Sequence, residues 1–205
     1  MPRVIAGELK SRVIPAPKTS ATRPTSDRVR EAVFSRLAGW GVLEDARVLD
    51  LYAGSGALGI EALSRGARHA TFVESHPATA RLIGKTLRDL GVAHKSKVLT
   101  AKAQSATARL EGEYDLLLLD PPYPVVSGEI SELLAELAKN ARVAADATIV
   151  VERSRRSDPI VWPAPYSEID VSHYGETSIY YASTPEADAE TDRAETDRTE
   201  TAQTE

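Results

Sequence analysis

RVLDLYAGSGALG, residues 47–59, is the stretch that decides the fold. Its apolar half, 47–52, reads as a buried strand, and Gly54, Gly56 and Gly59 form G-x-G-x-x-G where that strand turns into a helix over 56–64. Glycines in such a turn let the backbone approach a ligand. Glu74 ends the next strand, 69–74, twenty residues after Gly54. A carboxylate one strand over can accept both hydroxyls of a ribose, so loop and acid together point to a nucleoside-containing cofactor. Asp50, on the strand that feeds the loop, adds a second acid. An acid there suits the cationic sulfonium and amino-acid end of S-adenosylmethionine better than the pyrophosphate of a dinucleotide.

Strand-like and helix-like segments alternate outward from this loop. Ser75 and Pro77 supply a cap and first turn for a helix with Ala80, Ile83, Leu87 and Leu90 on one face, closed by Gly91. Strands are expected at 96–101, 115–120 and 147–152, with a helix marked by Ile130, Leu133, Leu134 and Leu137 before the last of these. Segments 167–173 and 177–183 flank Tyr174, Gly175 and Glu176 and read as an antiparallel hairpin. The expectation is an α/β doubly wound domain with a mostly parallel seven-stranded sheet that ends in this hairpin. Upstream, 3–6 and 12–15 read as two short strands joined through Gly7. Thr25 is expected to cap a helix with Val29, Val33 and Leu37 facing inward and Arg28, Arg30 and Arg36 projecting elsewhere.

The chain has 205 residues, 27% charged and 42% hydrophobic, which suits one domain with appendages. It contains no cysteine, which excludes a thiol nucleophile, a zinc finger and a disulfide scaffold, and its four histidines are isolated in sequence, so no metal site is expected. No apolar run approaches the roughly 18 residues of a membrane span, and a soluble, cytoplasmic protein is expected. The net charge of −5 is unevenly spread: residues 186–205 carry −6, and residues 1–36 carry +5. The acidic end lacks aromatic, Leu, Ile and Val side chains and repeats in a five-residue period from 190, which reads as a disordered tail over 185–205. The basic front end is placed to reach a polyanion.

YDLLLLDPPY, residues 114–123, carries the second chemical signal. Asp120, Pro121, Pro122 and Tyr123 leave the fourth strand at the carboxyl edge of the sheet, where Asp50 and Glu74 are also expected. An exocyclic amine on a base is a poor nucleophile because its lone pair is delocalised into the ring. The Asp120 carboxylate and the Pro121 carbonyl can hold its two hydrogens, draw the nitrogen toward tetrahedral geometry and free the lone pair for a methyl group. The prolines fix the turn, and Tyr123 offers a face for a base to stack on.

The leader RVIAGELKSRVIP, the segment RPTSDRVREAVFSRL, the loop LDLYAGSGALGIEALSRGA, the tetrad DPPY and the turn YGET occur in that order. With them the chain resembles the class I S-adenosylmethionine-dependent methyltransferases, and over 3–183 it is similar to the bacterial RsmD family, which methylates the N2 amine of a guanine in 16S rRNA. The resemblance implies a Rossmann-like domain over 25–184 behind a basic N-terminal hairpin extension over 1–24. It implies that Asp50, Tyr52, Ala53, Gly54, Gly56, Glu74, Ser75 and Ala103 line S-adenosylmethionine, with Thr25 closing over its methionine end. Asp120, Pro121, Pro122 and Tyr123 would hold the guanine, and Arg3, Lys10, Arg12, Arg23, Arg28 and Arg30 would grip RNA phosphates. The partner implied is 16S rRNA within the 30S subunit or an assembly intermediate; the sequence itself is silent on oligomeric state, and a monomer is the expectation. The chain departs from many relatives after the third strand, where Lys102 and Ala103 replace a polar residue that touches adenine.

Rival readings differ in class. An adenine-N6 DNA methyltransferase uses the same tetrad, and a glutamine-N5 protein methyltransferase fits it with less need of a basic leader. A non-catalytic assembly factor would not need Asp50, Glu74 and Asp120 together. A nicotinamide dehydrogenase would leave DPPY unused.

Overall fold

The strand before the glycine loop sits at the centre of the sheet. In the computed structural model, which describes residues 2–16, 27–122 and 124–186, β1 (Arg47–Leu51) pairs in parallel with β2 (His69–Glu74) and with β4 (Tyr114–Leu119). Beyond β2 lies β3 (Ser96–Thr100), and beyond β4 lies β5 (Val143–Ser154), both parallel to their neighbours. A hairpin of β6 (Ser167–Tyr174) and β7 (Thr177–Ser183) completes the seven-stranded sheet, with β7 inserted antiparallel between β5 and β6. The order is β3-β2-β1-β4-β5-β7-β6.

The central strands are apolar without alternation because helices cover both faces. Val48, Leu116, Leu118 and Val150 pack toward α1 (Asp27–Trp40), α2 (Ala57–Ser64) and α3 (Pro77–Asp89). Leu49, Leu51, Leu117 and Leu119 pack toward α4 (Ala103–Ala106) and α5 (Ser127–Lys139). No helix among the described residues is long and apolar enough to cross a membrane.

Three local features differ from the sequence expectation. The fifth strand starts at Val143 rather than 147, through an irregularity in its pairing with β4 and a positive φ of 55° at Asp146, whose N–H bonds the Pro185 carbonyl at 2.9 Å. A polar residue at that irregularity hides the strand from pattern reading. The leader forms one antiparallel bridge, Arg3 with Val13, rather than two strands. Pro2, Val4, Ser11, Arg12 and Ile14 do bond across the leader, but the pairing stops there: Ile5 and Ala6 N–H turn to the Glu61 carboxylate at 2.8 and 3.1 Å, and Glu8 N–H to the Ser64 carbonyl at 2.8 Å. Gly7, at φ +82°, lies so close to α2 that a Cβ would stand 1.7 Å from the Ser64 carbonyl oxygen.

The third difference concerns Arg30. Rather than projecting outward with Arg28, it is 1% exposed and inserted between the leader and α2. Its guanidinium donates to the Arg3 carbonyl and to Asp27 Oδ1 and stands 3.9 Å from Glu61 Oε2. Arg36 pairs with Asp170 of β6 and lies over the Tyr181 ring at 4.8 Å. Val29, Val33 and Leu37 do face inward, and Val4 and Ile14 of the leader join them in one core cluster.

Candidate active site

Asp50 is the penultimate residue of β1 and is 1% exposed. Its Oδ2 accepts the Gly59 N–H at 2.9 Å, which ties the strand to the first turn of α2. That contact explains the third glycine: a Cβ at Gly59 would stand 2.4 Å from Phe72 Cε1 and 3.1 Å from Asp50 Oδ2. Asp50 Oδ1 is buried with no hydrogen-bond partner among the described residues. Burial pushes the Asp50 carboxyl up to about 7, the Gly59 N–H opposes the rise, and the neighbouring Asp120 and Glu74 charges add to it.

The loop then turns through positive φ at Tyr52 (62°), Gly54 (55°) and Gly56 (79°). At Gly54 the space a side chain would fill is open among the described residues, with the Tyr52 carbonyl at 3.9 Å. Ala53 N–H bonds the Val73 carbonyl at 2.9 Å and fastens the loop to β2. Glu74 braces both sides of the cleft, accepting the Gly54 N–H at 2.9 Å on Oε2 and the His76 N–H at 2.7 Å on Oε1. Ser75 donates to the same carboxylate at 3.4 Å instead of capping α3, which starts after His76 without a side-chain cap. The cap expected of Ser75 is therefore not made. Ala103 opens α4 and is buried, beside exposed Lys102.

Asp120 and Pro122 are half-buried and Pro121 is buried at the end of β4, one strand from Asp50. Tyr123 lies outside the described residues. The turn after them is closed by Val125 N–H on the Pro122 carbonyl at 3.0 Å. The Val125 carbonyl in turn accepts Arg153 Nη1 at 2.8 Å. Strand ends thus bring Asp50, Glu74 and Asp120 to one sheet edge, near enough for their charges to interact. An unpaired buried acceptor, an open backbone at Gly54 and three interacting carboxylates fit a ligand that offers donors and positive charge, as S-adenosylmethionine does.

The family model described as Conserved hypothetical protein 95 matches residues 2–183. Ribosomal RNA small subunit methyltransferase D of Escherichia coli is 38% identical over 165 residues, 80% of this chain and 81% of that protein. The chain belongs to the RsmD family. The Haemophilus influenzae protein of the same name is 31% identical over 164 residues, 78% of this chain and 82% of its own. The solved yhhF structure from Escherichia coli superposes with a TM-score of 0.79 at 32% identity, over 90% of this chain and 98% of that one. An RNA methyltransferase from Salinibacter ruber, solved with S-adenosyl-L-homocysteine, shares the fold at TM-score 0.60 and 16% identity, over 80% and 95%.

In this RsmD-family chain, the cations expected to grip RNA divide by exposure. Arg3, Lys10, Arg12 and Arg28 are exposed, with Arg3 donating to the Ser11 carbonyl and Arg12 to the Asp89 carbonyl, both at 3.0 Å. Arg30 is buried and cannot present its guanidinium to a phosphate without leaving the core. Arg23 and Thr25 lie outside the described residues.

Sequence reasoning missed several residues that shape the site. Gln104 Nε2 reaches the Tyr52 hydroxyl at 3.4 Å, and Glu61, 0% exposed, holds the leader. Arg153, 6% exposed and with its Nε unpartnered, supports the loop after Pro122, and burial lowers its pKa. A charged residue inside an apolar helix or strand was the available signal for Glu61 and Arg153. Gln104 carried none.

Proposed function

We propose that this chain transfers a methyl group from S-adenosylmethionine to the N2 amine of a guanine in 16S rRNA, within the 30S subunit or an assembly intermediate. The observation that carries the reading is the parallel pairing of β1 with β4, which sets Asp120 at the sheet edge beside Asp50, close enough for the two charges to interact. Membership of the RsmD family supports the same reaction class.

S-adenosylmethionine, when bound, supplies a methyl group on a cationic sulfonium. Glu74 is the acceptor for the ribose hydroxyls, exchanging one of its present bonds to backbone N–H groups. Asp50 meets the positive end with its unpaired Oδ1. Tyr52, Ala53, Gly54, Gly56, Ser75 and Ala103 form the surrounding wall, with Thr25 over the methionine end. Asp120 and the Pro121 carbonyl hold the two N2 hydrogens, and Asp120 is placed to take the proton that N2 gives up. Pro122 fixes the turn and Tyr123 stacks on the base. Positioning and removal of water supply most of the rate enhancement. The guanine must be unpaired or flipped, because a stacked base cannot reach such a cleft. Arg3, Lys10, Arg12, Arg23 and Arg28 hold phosphates around it.

The test is transfer of a labelled methyl group to small subunits from a cell lacking the gene, followed by nucleoside digestion. N2-methylguanosine in 16S rRNA is the expected product. Labelled N6-methyladenosine, or label in protein alone, would overturn the reading.

A further inference from the structure

Asp120 has a cofactor side and a far side. Asp50 and Glu74 come from β1 and β2, on one flank of β4, and β5 lies on the other flank. A base whose amine rests on Asp120, with the methyl donor toward β1, must extend its ring toward β5. The parallel register ends with Leu119 opposite Val151, and Asp120 and Glu152 are the residues that follow that last pair at the carboxyl edge. Strands in a sheet are about 4.8 Å apart, which puts two carboxylates within reach of neighbouring donors on one ring edge. Alternation turns both toward the face of Leu118 and Val150, which is the face of α1 and α2.

The surroundings of Glu152 agree with that direction. It is half-buried and lines a small recess of about 10 Å³ with Val33 of α1, Leu58 of α2, Leu118, Val150 and Ile179. The recess is of water size, so a base would lie over its rim rather than inside it. Among the described residues its walls are otherwise apolar, so the Glu152 carboxylate is the polar group of this recess.

We propose that Glu152 is a specificity-determining residue that accepts the guanine N1–H while Asp120 and Pro121 hold the N2 amine. This rests on the guanine-N2 reading above and deepens it. Guanine presents two adjacent donor groups, N1–H and the N2 amine. Adenine presents its amine next to an unprotonated N1, which a carboxylate would repel. One side chain thus separates two substrates that the Asp-Pro-Pro-Tyr tetrad alone treats alike, and a site built to bond a polar edge strongly rejects an analogue that lacks it.

The test uses the full chain and RNA, in assembled subunits, whose methylated guanine is replaced by 2-aminopurine. That base keeps the N2 amine but has an unprotonated N1. Wild-type protein is expected to favour guanine strongly. Glu152→Gln, whose amide can donate to an unprotonated N1, is expected to lower kcat/KM for guanine and raise it for 2-aminopurine, shrinking the ratio by about 10²-fold. Affinity for S-adenosylhomocysteine should stay within about twofold, since the residue lies away from β1 and β2. Glu152→Asp, which keeps the charge, should be slower on guanine and keep the preference. An unchanged guanine to 2-aminopurine ratio in Glu152→Gln would overturn the proposal. Absence of N2 methylation by the wild-type protein would instead overturn the reading on which it rests.

Discussion

Glu61 accepts the backbone N–H of Ile5 at 2.8 Å across fifty-six positions of sequence, and it does so with none of its own surface exposed. Arg65 Nε donates to the same carboxylate at 2.7 Å, and Arg30 Nε stands 3.9 Å away. Glu61→Ala would strand two guanidinium groups and two amides around an empty acceptor position. Loss of one partner from a buried ionic network costs about 3–5 kcal/mol, equivalent to a Tm lower by roughly 10 °C in a domain of this size. Thermal denaturation measures it, and a Tm within about 2 °C of wild type would contradict the role.

Asp50 gives a pH dependence with two opposite signs. Its folded pKa, raised by burial from the ordinary 3.8 to about 7, means that between these values the folded state holds a proton that the unfolded state has released. Its contribution to stability is therefore full below about 4 and is lost as pH rises toward 7. A cationic ligand prefers the ionised form, so affinity for S-adenosylmethionine should strengthen as pH rises through 7, with proton release on binding. Calorimetry in buffers of different ionisation heat reads that proton. Asp50→Asn should abolish the release, weaken cofactor binding by about tenfold and raise the Tm of the ligand-free protein at pH 8.

Arg153 should separate turnover from cofactor binding. Its Nη1 holds the Val125 carbonyl at 2.8 Å, three residues beyond Pro122. Arg153→Met keeps much of the volume and releases that carbonyl. Small misplacements of reacting groups cost up to about 10²-fold in rate, so kcat should fall by about 10- to 100-fold while the KM for S-adenosylmethionine changes little. Equal losses in both parameters would point to general disruption instead.

The exposed and buried cations predict different phenotypes for similar substitutions. Lys10→Ala, Arg12→Ala and Arg28→Ala should each weaken RNA binding and reduce the slope of log K against log salt by about 1, with little change in Tm. Arg30→Ala should lower the Tm by several degrees through its lost contacts with Arg3, Asp27 and Glu61. Filter binding over a salt series, beside thermal melts, distinguishes the two groups.

Much of this fold was readable in the sequence because its strands are uninterrupted apolar runs and its loop demands glycine. The second strand falls at 69–74 as expected, and Asp50, Glu74 and Asp120 lie at one sheet edge because parallel register leaves them nowhere else. The irregular start of β5 at Asp146 was hidden by a polar residue with positive φ. Arg30 was misplaced for a different reason: helical periodicity puts an arginine outside, and only the carboxylate on α2 makes burial affordable. Side-chain bonds between distant segments, such as Gln104 with Tyr52, leave no periodic trace in either partner.

Gly7 pressed against Ser64, together with Val4 and Ile14 in the core, removes modularity from the front of the molecule. The segment that displays Arg3, Lys10 and Arg12 also completes the packing of α1 and α2. An amino-terminal truncation series is therefore a folding experiment before it is a binding one. The exposed charges of this leader can change without disturbing the packing, whereas a replacement of the leader itself requires rebuilding the helices beneath it.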